Sequence, residues 1–184
     1  MKIVVLVKEV PDTYGDRKLN LETGLADRDA SDRVLDEIGE RAIEVALAHA
    51  DKNPDVEIAL LSVGPEAAVT SIRKGLAMGA GSAIHVVDEG LVGADVTLTA
   101  EVLAAALRKA GFDLVIAGNL STDGTGGVVP AILGELLGVP AATGLSELEI
   151  TGDTSTGTST SSAQATATIK GVRGSDGATV TVSA

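Results

Sequence analysis

Gly118-Asn119-Leu120-Ser121-Thr122-Asp123-Gly124-Thr125-Gly126-Gly127 follows the apolar run Leu114-Val115-Ile116-Ala117 and leads into an apolar helical pattern that starts at Val128-Val129. This strand, loop and helix decide the fold class, because such a turn is where α/β proteins hold a phosphate. Glycines let the backbone approach an anion and take positive φ, while the free N–H groups and positive dipole end of the helix converge on the same point. The loop carries no basic side chain, and backbone capture needs none. A glycine-rich turn without a ligand has the same composition, so the context of strand and helix is what argues for the anion. The stretch fits neither GxGxxG nor GxxxxGK[ST], which leaves no claim to a dinucleotide fingerprint or an NTPase. Asp123 would repel a phosphate; its expected work is to accept loop N–H bonds or cap the coming helix, shaping the loop without touching the anion.

Outward from this loop, apolar strands alternate with helical patterns. Residues 3–7 read as a strand, and Val34, Leu35, Ile38, Ala42, Val45 and Ala46 recur at helical spacing. Residues 56–62 form a second strand; Gly64-Pro65 opens a helix with Val69, Ile72 and Leu76 on one face and Gly79 as its stop. A third strand over 83–87 precedes a helix capped by Asp95 and ended by Gly111, and residues 114–117 are the fourth strand. A helix over 128–137 closes at Gly138 and Pro140, and residues 144–150 read as a fifth strand. Near-continuous apolar strands separated by helices predict a Rossmann-like, doubly wound parallel sheet covered on both faces. Ligands bind such sheets at the carboxyl ends of strands where the strand order reverses, which gathers Leu6, Val63 and residues 118–127 around one crevice. There Leu6 and Val63 would sandwich an adenine, with plain core packing as the alternative.

Two segments break the rhythm. Residues 12–29 interrupt the first crossover, and Leu19-Asn20-Leu21-Glu22-Thr23-Gly24-Leu25 reads as a hairpin turning at Thr23-Gly24. After the nucleotide-binding α/β domain of residues 1–150, residues 151–184 read as an extension of that domain. It comprises a mobile Thr/Ser/Gly-rich loop over 151–162 and two antiparallel strands, 165–170 and 178–182.

Composition narrows the function classes. At 184 residues and 45% hydrophobic, the chain buries roughly 70% of its unfolded surface as one main domain. With 14 basic and 26 acidic residues its net charge is −12, which excludes a nucleic-acid partner reached through clustered Lys and Arg. No run is long enough to span a bilayer and no apolar signal region follows Met1-Lys2, so the expected location is cytoplasmic. There is no Cys and no Trp, one Tyr and one Phe, so electrons handled by this protein would need a cofactor or a partner to carry them. His49 and His85 read as helix-end and strand-packing residues, and Glu37, Glu40 and Glu44 as a solvated helix face.

Val7-Lys8-Glu9-Val10-Pro11-Asp12, Asp36-Glu37-Ile38-Gly39-Glu40-Arg41-Ala42, Gly64-Pro65 leading to Lys74-Gly75-Leu76-Ala77-Met78-Gly79-Ala80, and Asp113-Leu114-Val115 with the Thr122-Asp123-Gly124 loop together resemble the beta subunit of electron transfer flavoprotein. The resemblance runs from residue 1 to about 150 and more loosely beyond. It implies a fold of the adenine-nucleotide alpha-hydrolase-like type with a C-terminal antiparallel extension, a structural AMP, and an alpha subunit that holds the redox FAD. Electrons would pass from acyl-CoA and other dehydrogenases to a membrane electron transfer flavoprotein-quinone oxidoreductase, with this chain a carrier subunit and no enzyme by itself. Leu6, Val63 and residues 118–129 match the family's AMP-contacting segments, and Arg33-Val34-Leu35-Asp36 matches a further one in which many members have Asn-Pro at the first two positions. Members often place an aromatic against the flavin where this chain has Thr13 and Tyr14. Members also continue past the second tail strand into a recognition loop and a C-terminal arm, so this chain, ending at Ala184, is expected to dock its alpha subunit more weakly. A stand-alone universal-stress-like protein, binding ATP or AMP as a homodimer, is the alternative reading of the same loop.

Overall fold

The computed structural model describes residues 1–152, 167–173 and 179–183. In chain order its elements are β1 (Lys2–Leu6), β2 (Glu9–Pro11), β3 (Lys18–Leu19), β4 (Ala26–Asp27), β5 (Arg33–Leu35), α1 (Glu37–Ala50), β6 (Glu57–Val63), α2 (Val69–Met78), β7 (Ser82–Val86), α3 (Val96–Ala110), β8 (Leu114–Ala117), α4 (Val129–Leu137), β9 (Leu145–Gly152), β10 (Ala167–Arg173) and β11 (Thr179–Ser183). The apolar runs become a four-stranded sheet in the order β7-β6-β1-β8, with every neighbouring pair parallel. Alternate side chains of these strands are buried on opposite faces. Ile3, Val5, Ile58, Leu60 and Ile116 pack under Ile43 and Ala46 of α1 and Ile72 of α2. Val4, Ala59 and Leu61 pack under Leu103 and Leu107 of α3 and Leu133 of α4. The sheet is therefore wound on both sides, as expected, and its order reverses between β1 and β8 because the crossover through α3 returns on the other face.

Gly79, Gly111 and Gly138 end α2, α3 and α4, each with the positive φ that lets a chain leave a helix. Asp95 caps α3 by accepting the Leu98 N–H at 2.8 Å. The hairpin within residues 12–32 also forms: Leu19 pairs with Ala26, Asn20 Oδ1 accepts the Glu22 and Thr23 N–H groups, and Gly24 turns at φ 71°.

Two expectations are corrected. Val34 and Leu35 are not helical; they lie in β5, opposite Val10 and Glu9 of β2, and the helix starts only after the Asp36 cap. Leucine and valine one turn upstream mimic the helical period, but an N-cap aspartate breaks it. The fifth strand does not join the parallel sheet either: β9 pairs antiparallel with β10, and β10 with β11, in a separate three-stranded sheet. Its Glu147-Leu148-Glu149-Ile150 alternation suits a strand with one buried and one wet face, and Ile150 and Leu148 indeed join the core on the α1/α2 side. The two tail strands pair as expected, while the loop read over 151–162 lies, from residue 153 on, outside the described residues. Among the described residues no helix is long and apolar enough to cross a membrane.

Candidate functional site

The strand order reverses between β1 and β8, whose carboxyl ends lie side by side with Leu6 opposite Ala117, and the glycine loop leaves from the end of β8. Gly118 must be glycine for space: a Cβ there would meet Ile38 Cγ2 at 2.5 Å, so the loop leaves β8 pressed against the first turn of α1. Ser121 O then accepts the Thr125 N–H at 2.8 Å, closing a tight turn across residues 121–125. Thr125 has φ 52°, the only positive φ of a non-glycine residue among those described, and Gly127 has φ 65°. Left-handed backbone at a β-branched residue is costly and persists where surrounding contacts enforce it, most often at functional sites. A Cβ on Gly127 would touch Asn119 O at 3.5 Å, whereas one on Gly126 would meet nothing within 4 Å. Gly126 thus faces open space directly before α4, whose N-cap, Val128, offers its first turn no side-chain acceptor.

Asp36 fixes this loop from below. It is fully buried; Oδ1 accepts the Ile38 N–H at 3.1 Å as the cap of α1, and Oδ2 accepts the Thr122 N–H at 2.8 Å. One carboxylate therefore anchors both the helix and the loop. Asp123 is the second anchor, its side chain only 8% exposed. Lys8 Nζ donates to Oδ1 at 2.9 Å, Arg28 donates to Oδ2 at 2.8 Å, and the Gly124 N–H donates to Oδ1 at 2.7 Å. Arg17 adds a bond to the Thr122 carbonyl. Asp123 accordingly accepts a loop N–H as expected, but it caps no helix. The loop has no cation of its own, yet folding brings Lys8 from the end of β1 and Arg17 and Arg28 from the hairpin segment. Nothing local in the sequence signals these partners.

Burial raises the Asp123 carboxyl, but the hydrogen bonds from Lys8, Ser121 and Arg28 and the charge of Lys8 outweigh it and hold the group well below the usual carboxylate range. A depressed folded-state pKa stabilises the fold above the unfolded value near ~3.9, and that contribution is lost as pH falls further. The urea midpoint of the wild type is expected to exceed that of Asp123→Asn at pH 7, with the gap narrowing below about pH 4. A gap independent of pH between 7 and 3 would contradict this assignment.

The other anticipated residues fall into two groups. Leu6 and Val63 end β1 and β6, and both pack, partly exposed, on the α3/α4-side core. Arg33 pairs with Asp29 at 2.9 Å and Glu9 at 3.7 Å. Thr122 Oγ1 in the loop is buried without a hydrogen-bond partner, as is Ser62 Oγ in β6, which alternates with Val63 and so lies on the α1/α2 side of the sheet. Tyr14 stands 99% exposed beside a cleft of about 520 Å³ lined by Asp12, Asp16, Asp29 and Asp32, a wall of carboxylates that suits no phosphate. Glu40 pairs with Lys74 at 2.5 Å, and Glu37 and Glu44 are exposed, as a solvated face requires. His49 ends α1 and His85 lies within β7; among the described residues no group of His, Asp or Glu is arranged to hold a metal.

Comparison with known proteins gives one consistent match. The family described as electron transfer flavoprotein domain matches residues 23–184. The chain is 49% identical over 160 residues to electron transfer flavoprotein subunit beta of Mycobacterium tuberculosis, covering 84% of this chain and 60% of that protein. It is 33% identical over 154 residues to the subunit of the same name in Clostridium acetobutylicum, covering 84% and 59%. It is also 34% identical over 151 residues to the caffeyl-CoA reductase-Etf complex subunit CarD of Acetobacterium woodii, covering 82% and 57%. The chain thus spans about 60% of the length of the curated relatives it matches. With that domain matched through the glycine loop and the tail strands alike, the chain belongs to the electron transfer flavoprotein family, among its beta-subunit sequences.

Proposed function

We propose that this chain binds AMP at the loop of residues 118–129 and serves as the nucleotide-holding beta subunit beside an FAD-carrying alpha subunit. The observation that carries the reading is the loop backbone before α4: exposed Gly126, with no atom within 4 Å of a Cβ placed on it, stands between Thr125 and Gly127 at positive φ and precedes an α4 terminus without a side-chain cap. Backbone N–H groups there suit a phosphate, which needs donors more than a charge of its own sign reversed in a side chain. The unpartnered hydroxyl of Thr122 offers a further polar contact, and Leu6 and Val63 present the apolar surface that an adenine ring needs. Asp36 and Asp123 position the loop, both already satisfied by protein donors. The sheet order and the late glycine loop suit the adenine-nucleotide alpha-hydrolase-like type of fold.

In this reading the redox chemistry belongs to the FAD of the alpha subunit, which takes electrons from acyl-CoA and other dehydrogenases and passes them to a quinone oxidoreductase. This chain supplies a scaffold and no reacting group. A calorimetric titration tests the nucleotide assignment: one AMP per chain is expected, with ATP binding at least about tenfold more weakly, a difference of about 1.4 kcal/mol. Saturable binding of ATP without binding of AMP would favour a universal-stress-like regulator instead.

A further inference from the structure

The glycine loop is gripped from one direction. Arg28 and Lys8 meet on Asp123, Arg17 reaches the Thr122 carbonyl, and Asp36 holds the Thr122 N–H, so four contacts from residues 8–36 converge on two consecutive loop residues. Arg17 and Arg28 lie on either side of the β3–β4 hairpin, in a segment whose base is closed by the β2–β5 ladder and the Asp12 N–H bond to Asp32 O at 2.8 Å. Between base and loop the segment has little of its own to hold it: residues 16–27 are exposed throughout, and Leu21 and Tyr14 are almost wholly in solvent.

We propose that residues 12–32 are a clasp fastened to the nucleotide loop by Asp123, so that occupancy of the loop by a nucleotide phosphate sets the order of this segment and the position of Tyr14. The inference rests on the AMP reading above and adds a role for residues that reading does not use. Its physical basis is linkage. Lys8 and Arg28 are each about two-fifths exposed on their side-chain surface, so either pair alone is screened and easily released. Two cations on one carboxylate leave a net positive charge next to the loop, and a bound phosphate draws that charge toward it. A ligand that fixes the 121–127 backbone also fixes the carboxylate on which both cations converge. What orders the loop orders the clasp, and the coupling is reciprocal.

Trypsin reads this directly, because the segment carries cleavable bonds after Arg17, Lys18 and Arg28. Saturating AMP is expected to slow cleavage after Arg17 and Lys18 in the full chain by at least about tenfold, since proteolysis follows the population of the open segment. Asp123→Asn, tested at saturating AMP, should lose that protection, and Asp123→Glu should recover part of it. Arg28→Ala, a change on a partly exposed side chain outside the loop, should lose it as well and serves if Asp123→Asn unfolds. The single tyrosine, in a chain without Trp, gives a second readout through the fluorescence anisotropy of Tyr14. Calorimetric AMP binding by the wild type with no change in cleavage, or equal protection in wild type, Asp123→Asn and Arg28→Ala, would overturn the clasp and leave the AMP site standing. No AMP binding by the wild type would overturn both.

Discussion

Gly126→Val is expected to abolish AMP binding while leaving the melting temperature of the free protein unchanged. The prediction separates blocking from unfolding. A valine at Gly126 meets no protein atom within 4 Å of its Cβ, so the fold has no reason to shift, yet its methyl groups occupy the space in front of α4 that a phosphate needs. Loss of at least about a hundredfold in affinity, roughly 2.8 kcal/mol, is the expected size. Gly127→Val should also abolish binding, but by another route and at a cost to stability. Its φ of 65° is hostile to a β-branched side chain, so the loop must rebuild and the N–H groups lose their aim. Calorimetry on both variants, paired with thermal melts, checks the two mechanisms together. Unchanged AMP affinity in Gly126→Val would place the phosphate elsewhere.

The second large effect is spectroscopic. Purified alone, the chain is expected to show no flavin absorbance near about 450 nm, and to become part of a yellow complex only when an alpha subunit and FAD are added. The sequence motivates this division of labour: one Tyr, one Phe and no Trp or Cys leave little on which an isoalloxazine could stack. The single tyrosine stands in solvent at the edge of an acidic cleft, where a partner's surface would have to complete any ring contact. A stoichiometric flavin band in the protein purified by itself would overturn the assignment of FAD to the partner.

Much of this architecture was legible from local pattern. The run Leu114-Val115-Ile116-Ala117 coincides with β8, and the glycine stops and the Asp95 cap fall where the sequence places them, because burial on two faces and helix termini leave local marks. Residues 144–150 have the apolar content of a parallel core strand but not its period. Glu147 and Glu149 alternate with Leu148 and Ile150, which is the period of a half-exposed antiparallel strand. Val34 and Leu35 are the opposite case, since two apolar residues before a capping aspartate extend a helical period that the backbone does not follow.

The site was legible only in part, and for a physical reason. Glycine 118, 126 and 127 announce a close backbone approach in the local sequence, and so does the helix that follows. The electrostatics do not. Asp123 meets Lys8 across 115 residues and Arg28 across 95, and Asp36 meets Thr122 across 86. Pairings at that separation are fixed by the strand order β7-β6-β1-β8, which sets the end of β1 beside the end of β8. Arg33, which the family resemblance implies as a nucleotide contact, likewise finds a partner that its own surroundings in the sequence do not announce: Glu9 on the neighbouring strand β2, beside the local Asp29.

The central claim is that the switch-point loop holds AMP. Its most direct test is mass spectrometry of the small molecule released by denaturing the purified wild-type chain alongside Gly126→Val. AMP is expected in about equal amount to the wild-type protein, and none from the variant. ATP or FAD in place of AMP, or AMP carried equally by both proteins, would contradict it.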